Sequence, residues 1–283
     1  HRMKPEAWTK RLKRACHYYD ARAHFFEGRF TRALRETDVF LVGHPKSGNT
    51  WLAYLLALVL FPKQADQITL ANLRRFIPDA SGRDHVIAKH QRLSNPRTFR
   101  NHQPLYSEHY HRMIYLVRDP RSVLVSLWHH YRVARQDKKT RVEEVVDEYL
   151  MHDRFDVWMH DLDRWDHHVT RFALSPATTS SLLLIKYEDL VHDRRHQLDR
   201  LVKFLDMKIT PEALNTAEER GSFKAMRHAE ERHGVEHFRK LQSSGEPFIR
   251  SGKIDGWQEE LSPATVDRIE QSFRPVMEHF GYL

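Results

Sequence analysis

The stretch that decides the fold is D-V-F-L-V-G-H-P-K-S-G-N-T-W-L-A-Y-L-L-A-L-V-L, which occupies residues 38–60. Asp38–Val42 is a short apolar run that ends at Gly43, a pattern typical of a buried strand. Asn49–Leu60 contains good helix formers that are apolar on nearly every side, which predicts a buried helix. A loop between a strand and a helix N-terminus presents backbone N–H groups to an anion, and the helix dipole favours its charge. The sequence therefore predicts a phosphate-binding loop over residues 43–50.

The alternation of apolar strands and helices continues along the chain. Further strands are predicted at His85–Ala88, Arg112–Val117 and Ser181–Ile185, and further helices at Pro120–Tyr131, Arg194–Asp206 and Pro263–Phe280. Strands that alternate with helices favour a parallel sheet with helices packed against it. No shift in composition marks a boundary, so we expect an α/β fold in one domain over residues 1–283. The first ~35 residues are expected to form a helical extension of that domain.

Charge and composition limit the classes of function. The net charge is +8 and the only cysteine is Cys16, so the partner is expected to be anionic and a disulfide framework is excluded. The longest apolar run, residues 51–62, is too short to span a bilayer, which takes ~20 residues. Lys4–Arg14 lacks the apolar core of a secretory signal. We therefore expect a cytoplasmic protein without a membrane span.

The position of the lysine distinguishes this loop from the phosphate-binding loop of P-loop kinases. Two glycines stand at the ends of G-x-x-x-x-G, but Asn49 follows where a Walker loop has lysine, and Lys46 lies inside the loop instead. Pro45–Trp51 resembles the 5′-phosphosulfate loop, P-K-S-G-T-T-W, of sulfotransferases that use 3′-phosphoadenosine 5′-phosphosulfate (PAPS). The resemblance implies that Lys46 binds the bridging oxygen and that Trp51 lies against the adenine. The implied loop contacts with the co-substrate are Lys46, Ser47, Gly48, Asn49, Thr50 and Trp51.

Other motifs of the same family follow in order. Arg118-Asp119-Pro120, with Ser126 on the next helix, resembles the family's 3′-phosphate motif, and Tyr187-Glu188-Asp189-Leu190 resembles its Y-E-D-L. The resemblance implies that Tyr187 and Phe223 contact the adenine. Phe248–Gly252 resembles F-x-R-K-G, with Ser251 where the family has lysine. This resemblance implies that Arg250, Ser251 and Gly252 contact the co-substrate.

The resemblance also implies a catalytic histidine shortly after the second strand, in a K-T-H sequence. Val86-Ile87-Ala88-Lys89-His90 is the run that we match to it, so His90 is the predicted base. Imidazole is a base near neutral pH, and it can take the proton of an acceptor hydroxyl as that hydroxyl attacks sulfur. Lys46 is expected to neutralise the charge that develops on the leaving oxygen. No carboxylate of the Walker-B type is evident, so we predict that no metal takes part.

The sequence thus predicts a sulfotransferase that moves a sulfuryl group from PAPS to an acceptor hydroxyl or amine, leaving 3′-phosphoadenosine 5′-phosphate (PAP). The acceptor stays open among small molecules, lipids and glycans, and so does the oligomeric state. One alternative is a P-loop nucleotide kinase, which needs lysine at position 49. Another is a non-enzymatic basic module that binds sulfated polymer or nucleic acid. Basic clusters such as Arg132–Arg141 lack a recognition module, so nucleic acid is not the expected partner.

Overall fold

The structure is a computed structural model. It describes residues 31–80, 96–102, 107–137, 139–152, 154–155, 162–174, 181–235, 247–250 and 252–283. The main sheet has four parallel strands in the order β2-β1-β3-β6. These are β1 (Val39–Val42), β2 (Thr98–Asn101), β3 (Arg112–Val117) and β6 (Ser181–Lys186). Two short strands, β4 (Arg154–Phe155) and β5 (Leu162–Asp163), form a separate antiparallel pair.

Helices follow most of the strands. They are α1 (Asn49–Leu60), α2 (Pro120–Arg135), α3 (Val142–Met151), α4 (Trp165–Val169), α5 (Tyr187–His192), α6 (Arg194–Phe204), α7 (Pro211–Arg220), α8 (Phe223–His233) and α9 (Pro263–His279). Short 3-10 helices lie at Pro62–Gln67, Leu73–Arg75, Ser107–His109 and Gly256–Glu259, and a π turn lies at Thr170–Leu174. The predicted α/β fold with a central parallel sheet is confirmed.

The two faces of the sheet bury two separate apolar clusters. Val39 and Leu41 of β1 belong to the cluster under α1, α6 and α7, whereas Phe40 and Val42 belong to the cluster under α2, α3 and α9. Successive side chains of a strand point to opposite faces, so an unbroken apolar strand has both faces covered. That is why residues 39–42 are all buried and why α1 is buried on nearly every side.

Caps set the predicted helix starts. The Asp119 side chain accepts from the Arg121 N–H at the start of α2, and that of Ser262 accepts from the Thr265 N–H at the start of α9. Helix α2 continues beyond the predicted Tyr131 and ends where Gln136 takes a left-handed conformation. Among the described residues, no helix is long and apolar enough to cross a membrane.

The second strand is the element that the sequence did not reveal. Strand β2 is Thr98–Asn101, and it pairs with β1 in parallel. The sequence had suggested His85–Ala88, which lies outside the described residues. Strand β2 is polar in composition, yet all four of its residues are buried. Just before it, Arg97 forms a buried double hydrogen bond with Asp38, whose two oxygens lie 2.7 and 2.5 Å from the guanidinium.

Candidate active site

All four strands of the main sheet end at one edge, and each strand is followed there by a candidate functional residue. Loop 43–48 follows β1, His102 follows β2, Arg118 follows β3 and Tyr187 follows β6. The chain passes from β1 to β2 on one side and then to β3 on the other, so the strand order reverses at β1. Ligands of open α/β sheets bind at the carboxyl ends of the strands at such a point.

A cavity of about 230 Å³ opens at this edge. It brings together most of the predicted site residues, namely Lys46, Gly48, Asn49, Thr50, Trp51, Arg118, Ser126, Tyr187, Phe223, Arg250 and Gly252. Ser47 is fully buried beside the cavity, while His90 and Ser251 lie outside the described residues. The lining also includes residues that the sequence did not predict as site residues, among them His102, His130 and Arg194.

The loop after β1 is held in an unusual conformation. Lys46 has a φ of 72° and Gly48 a φ of 102°, both in the left-handed region that side chains disfavour. A Cβ on Gly48 would lie 2.8 Å from the Tyr187 ring, so glycine is needed here for space as well. The Ser47 hydroxyl is buried without a hydrogen-bond partner among the described residues. A buried polar group without a partner costs stability, and an anion in the loop would give this hydroxyl a partner.

The side chain of Asn49 stabilises the loop through hydrogen bonds to its backbone. Its Nδ2 donates to the carbonyl oxygens of His44 and Gly43 at 2.9 and 3.2 Å. The sequence implied that Asn49 contacts phosphate in place of the family threonine. The side chain borders the cavity, but its donors already serve the loop's own carbonyls, so its direct contribution is to the shape of the loop.

Lys46 borders the cavity and is partly buried, and the guanidinium groups of Arg118 and Arg250 lie near it. The pKa of Lys46 is lowered to about 8, mainly by burial and to a smaller extent by the charges of Arg118 and Arg250. Its ammonium lies 5.3 Å from the centre of the Phe248 ring. Two nearby arginines and a partly buried lysine repel one another unless an anion lies between them. This electrostatic arrangement fits a ligand with several negative charges.

Arg118 is fixed between the loop and Tyr187, the first residue of α5. Its guanidinium stacks 4.0 Å from the centre of the Tyr187 ring, and its Nη1 donates to the Lys46 carbonyl at 3.1 Å. Ser126 borders the cavity one helical turn beyond Ser122. Ser122 points elsewhere, because its hydroxyl donates to the Ile254 carbonyl at 2.8 Å and so holds the segment after Gly252 against α2.

Aromatic rings form the other end of the cavity. The Trp51 and Tyr187 rings meet edge to face at 5.4 Å, and Trp51 Nε1 donates to the Gly221 carbonyl at 2.8 Å. Phe223 is 40% exposed, which is unusual for a large apolar side chain. A Cβ on Gly252, whose φ is +66°, would lie 2.5 Å from the Phe223 ring. These rings offer flat apolar surfaces of the kind on which a nucleobase stacks.

His102 is the functional candidate that the sequence missed. It directly follows β2 and borders the same cavity as Lys46. Its Nδ1 lies 3.2 Å from the Gly43 carbonyl and 3.3 Å from Asn49 Nδ2, whose two hydrogens point to the Gly43 and His44 carbonyls. Because a carbonyl only accepts, we assign the proton of the neutral ring to Nδ1 and its lone pair to Nε2. Burial lowers the pKa of His102, which keeps it neutral at physiological pH. A correct placement of the second strand would have been the signal that identifies it.

Two further histidines hold the backbone around these groups. His168 Nε2 donates to the His102 carbonyl at 2.8 Å, and its Nδ1 accepts from the Tyr115 hydroxyl at 2.7 Å. His44 Nδ1 donates to the Pro45 carbonyl at 2.9 Å, and its Nε2 accepts from the Tyr149 hydroxyl at 3.0 Å. Burial is the main cause that lowers the pKa of both imidazoles. They therefore act as neutral hydrogen-bonding groups that fix the loop and the segment after β2.

Comparisons with known proteins agree with this geometry. The family model described as "Sulfotransferase domain" matches residues 36–281. The chain is 26% identical to Sulfotransferase 2A6 of Rattus norvegicus, with 87% of each chain covered. It is 25% identical to a 3-beta-hydroxysteroid sulfotransferase of Cavia porcellus, covering 86% of this chain and 85% of that one.

Solved structures resemble the fold. A retinol dehydratase in complex with androsterone and inactive cofactor PAP has a TM-score of 0.64 at 19% identity, covering 86% of this chain and 81% of that one. Mouse sulfotransferase SULT7A1 complexed with PAP has a TM-score of 0.61 at 22% identity, covering 87% of this chain and 86% of that one.

Proposed function

The chain belongs to the sulfotransferase domain family and catalyses sulfuryl transfer, and we propose that its donor is PAPS and its acceptor a small-molecule hydroxyl or amine. The observation that carries the choice of donor is the charge of the cavity. Its described lining includes Lys46, Arg118, Arg194 and Arg250 and no carboxylate. Such a lining suits a ligand with several anionic groups, and PAPS carries a phosphosulfate and a 3′-phosphate.

The residues of the cavity fit this donor at three places. The loop around Lys46 suits the phosphosulfate, because its backbone and the start of α1 favour an anion. In the described part of the chain, the Ser47 hydroxyl has no hydrogen-bond partner. Arg118, Ser126 and Arg250 are the proposed contacts with the 3′-phosphate. The rings of Trp51, Tyr187 and Phe223, which border the same cavity, would enclose the adenine. Ser251 stays a predicted contact.

Lys46 is the proposed electrophilic group. PAPS, when bound, supplies the sulfuryl group and a phosphate as the leaving group. A charged lysine at the leaving oxygen stabilises the negative charge that develops there, and a buried setting strengthens that interaction. With a pKa of about 8, Lys46 is mostly charged at neutral pH. The loop conformation holds it in place, since Arg118 donates to the Lys46 carbonyl at 3.1 Å.

His102 is the proposed base. It is the histidine that follows the second strand of the sheet, where the family resemblance implies the base, and it borders the cavity with Lys46. Its Nε2 holds the lone pair that takes the proton of the attacking acceptor group, while Nδ1 stays bonded to the Gly43 carbonyl. Attack is in line with the leaving oxygen. The earlier prediction of His90 remains untested, because that residue lies outside the described part of the chain.

The acceptor proposal draws on the relatives. Two of them are named as hydroxysteroid sulfotransferases and one, from Oryctolagus cuniculus, as an amine sulfotransferase. We propose small hydroxyl-bearing molecules of steroid-like size as the first acceptors to test, and amines as the second. A cytoplasmic location is part of the same proposal, since another relative is named "Cytosolic sulfotransferase 1".

The nucleotide kinase is not favoured. It needs a lysine at position 49, where this chain has asparagine, and that asparagine serves the loop's own carbonyls. Among the described residues, no group of acidic and histidine side chains is arranged to hold a metal ion.

The test is transfer from labelled PAPS to a panel of 3-hydroxysteroids, phenols and amines, with adenosine 5′-phosphosulfate as a donor that lacks the 3′-phosphate. We expect transfer from PAPS to at least one acceptor and far less from the shorter donor, because Arg118 and Arg250 would have no phosphate to bind. The variant Lys46→Ala serves as the control for the site. Equal use of both donors, or full transfer by Lys46→Ala, would contradict the proposal.

A further inference from the structure

The guanidinium of Arg250 borders the cavity and also forms a hydrogen bond with a carboxylate. Its Nη1 donates to Glu260 Oε1 at 2.8 Å. The side chains of Arg250 and Glu260 are 30% and 25% exposed, so the pair is partly shielded from water. Glu260 comes directly after the helical turn Gly256–Glu259 and, unlike Arg250, does not line the cavity.

The same carboxylate oxygen has a second partner on α2. His129 Nε2 lies 3.0 Å from Glu260 Oε1. Burial lowers the pKa of His129, so the ring is neutral at physiological pH and donates its Nε2–H to the carboxylate. Arg250, Glu260 and His129 thus carry no net charge together. A small pocket beside the main cavity is lined by Ser126, His129 and Arg250 among others. It therefore includes two of the three proposed contacts with the 3′-phosphate, Ser126 and Arg250.

We propose that Glu260 is a specificity-determining residue that lowers the affinity of the enzyme for nucleotides that carry a 3′-phosphate. This inference rests on the proposed function. A phosphate monoester carries close to two negative charges at neutral pH, and a carboxylate that is bonded to the arginine holding it repels it. Arginine has five donors, so Arg250 can turn other N–H groups to the phosphate while Nη1 stays on Glu260. The carboxylate therefore remains close to the bound phosphate.

This arrangement affects the product as well as the donor. PAP keeps the 3′-phosphate after the sulfuryl group has been transferred. Its release therefore has to break all the interactions between the enzyme and the 3′-phosphate. Product release limits turnover in many enzymes. A carboxylate that weakens the hold on the 3′-phosphate speeds the release of PAP.

The test uses Glu260→Gln in the full chain. Glutamine keeps an oxygen that accepts from Arg250 and removes the negative charge, so Arg250 stays oriented. The matched control is Glu259→Gln, which removes an exposed carboxylate that accepts from Lys253 Nζ at 2.6 Å. Calorimetry with PAP and with ADP reports the two affinities. We expect Glu260→Gln to tighten PAP about tenfold, or ~1.4 kcal/mol, and to change ADP and the control by less than about twofold, since ADP has no 3′-phosphate.

Three results of the Glu260→Gln titration would overturn the inference. If Glu260→Gln weakens PAP, Glu260 serves to position Arg250 rather than to oppose the phosphate. If PAP is unchanged, the carboxylate does not act on the 3′-phosphate at all. If PAP and ADP tighten equally, the effect is general and carries no specificity. A wild-type protein that binds PAP no tighter than ADP overturns the proposed function and this inference together, whereas a wild-type preference that Glu260→Gln does not enlarge overturns the inference alone.

Discussion

Lys46 makes nucleotide binding dependent on pH in a direction that the structure fixes. Burial and the neighbouring Arg118 and Arg250 lower its pKa to about 8. Only the charged form attracts the phosphates of PAP. The charged fraction of a group with this pKa falls from about three-quarters at pH 7.5 to about one-tenth at pH 9. The Kd for PAP should therefore rise about eightfold between these two values.

The assay is calorimetry or fluorescence titration with PAP at fixed ionic strength, in steps from pH 7.5 to pH 9. The phosphates of PAP titrate near pH 6, so they stay ionised across this range. The control is Lys46→Arg, since a guanidinium stays protonated up to a pH of about 12. Its affinity is expected to be flat. A wild-type Kd that does not change with pH, or a rise of the same size in Lys46→Arg, would refute the reasoning.

Other residues give sharper local tests. His102→Ala should slow single-turnover transfer by a factor of about 10²–10⁴, the usual contribution of a general base, and should keep the affinity for PAP within about threefold. If transfer is slow in His90→Ala and remains fast in His102→Ala, the base is His90 and not His102. Gly252→Ala puts a Cβ 2.5 Å from a ring and requires a φ of +66°, which costs ~1–2 kcal/mol for the backbone alone; thermal unfolding and PAP titration should both show the loss. Asp38→Asn removes the negative charge that accepts from the buried guanidinium of Arg97 and should lower the free energy of unfolding in urea by ~3–5 kcal/mol. A loss below about 1 kcal/mol would contradict the stabilising role of the buried pair.

The parts of the fold that the sequence predicts are those specified by local signals. Val39–Val42 is apolar throughout because both faces of the sheet are covered, and Pro120 and Pro263 each follow a capping side chain. Strand β2 gives no such signal. Three of its four residues are polar and only Phe99 is apolar. They are buried because Arg97 and Asp38 pair across the neighbouring strands and because β1 supplies the hydrogen bonds. Tertiary contacts of that kind do not appear in a local pattern.

The candidate site follows the same division. The loop, Arg118 and Tyr187 are found from the sequence because each directly follows an apolar strand, and the structure places all of them around one cavity. His102 is missed because it follows the polar strand, in a chain that has 21 histidines. Asn49 is predicted as a phosphate contact, but its amide donors bond to carbonyls of the loop. The direction of a side chain depends on partners that are distant in the sequence, and only the folded chain brings them together.

The 3′-phosphate separates a PAPS-dependent enzyme from the alternatives, because ADP lacks that group. Charge-assisted hydrogen bonds contribute ~1.5–3 kcal/mol each, and Arg118 and Arg250 supply two of them in the proposed site. Calorimetry of the wild-type protein should therefore show PAP bound about 10²-fold more tightly than ADP. Arg118→Ala should remove most of that preference and weaken ADP only slightly. Equal affinity of the wild-type protein for PAP and ADP would contradict the account.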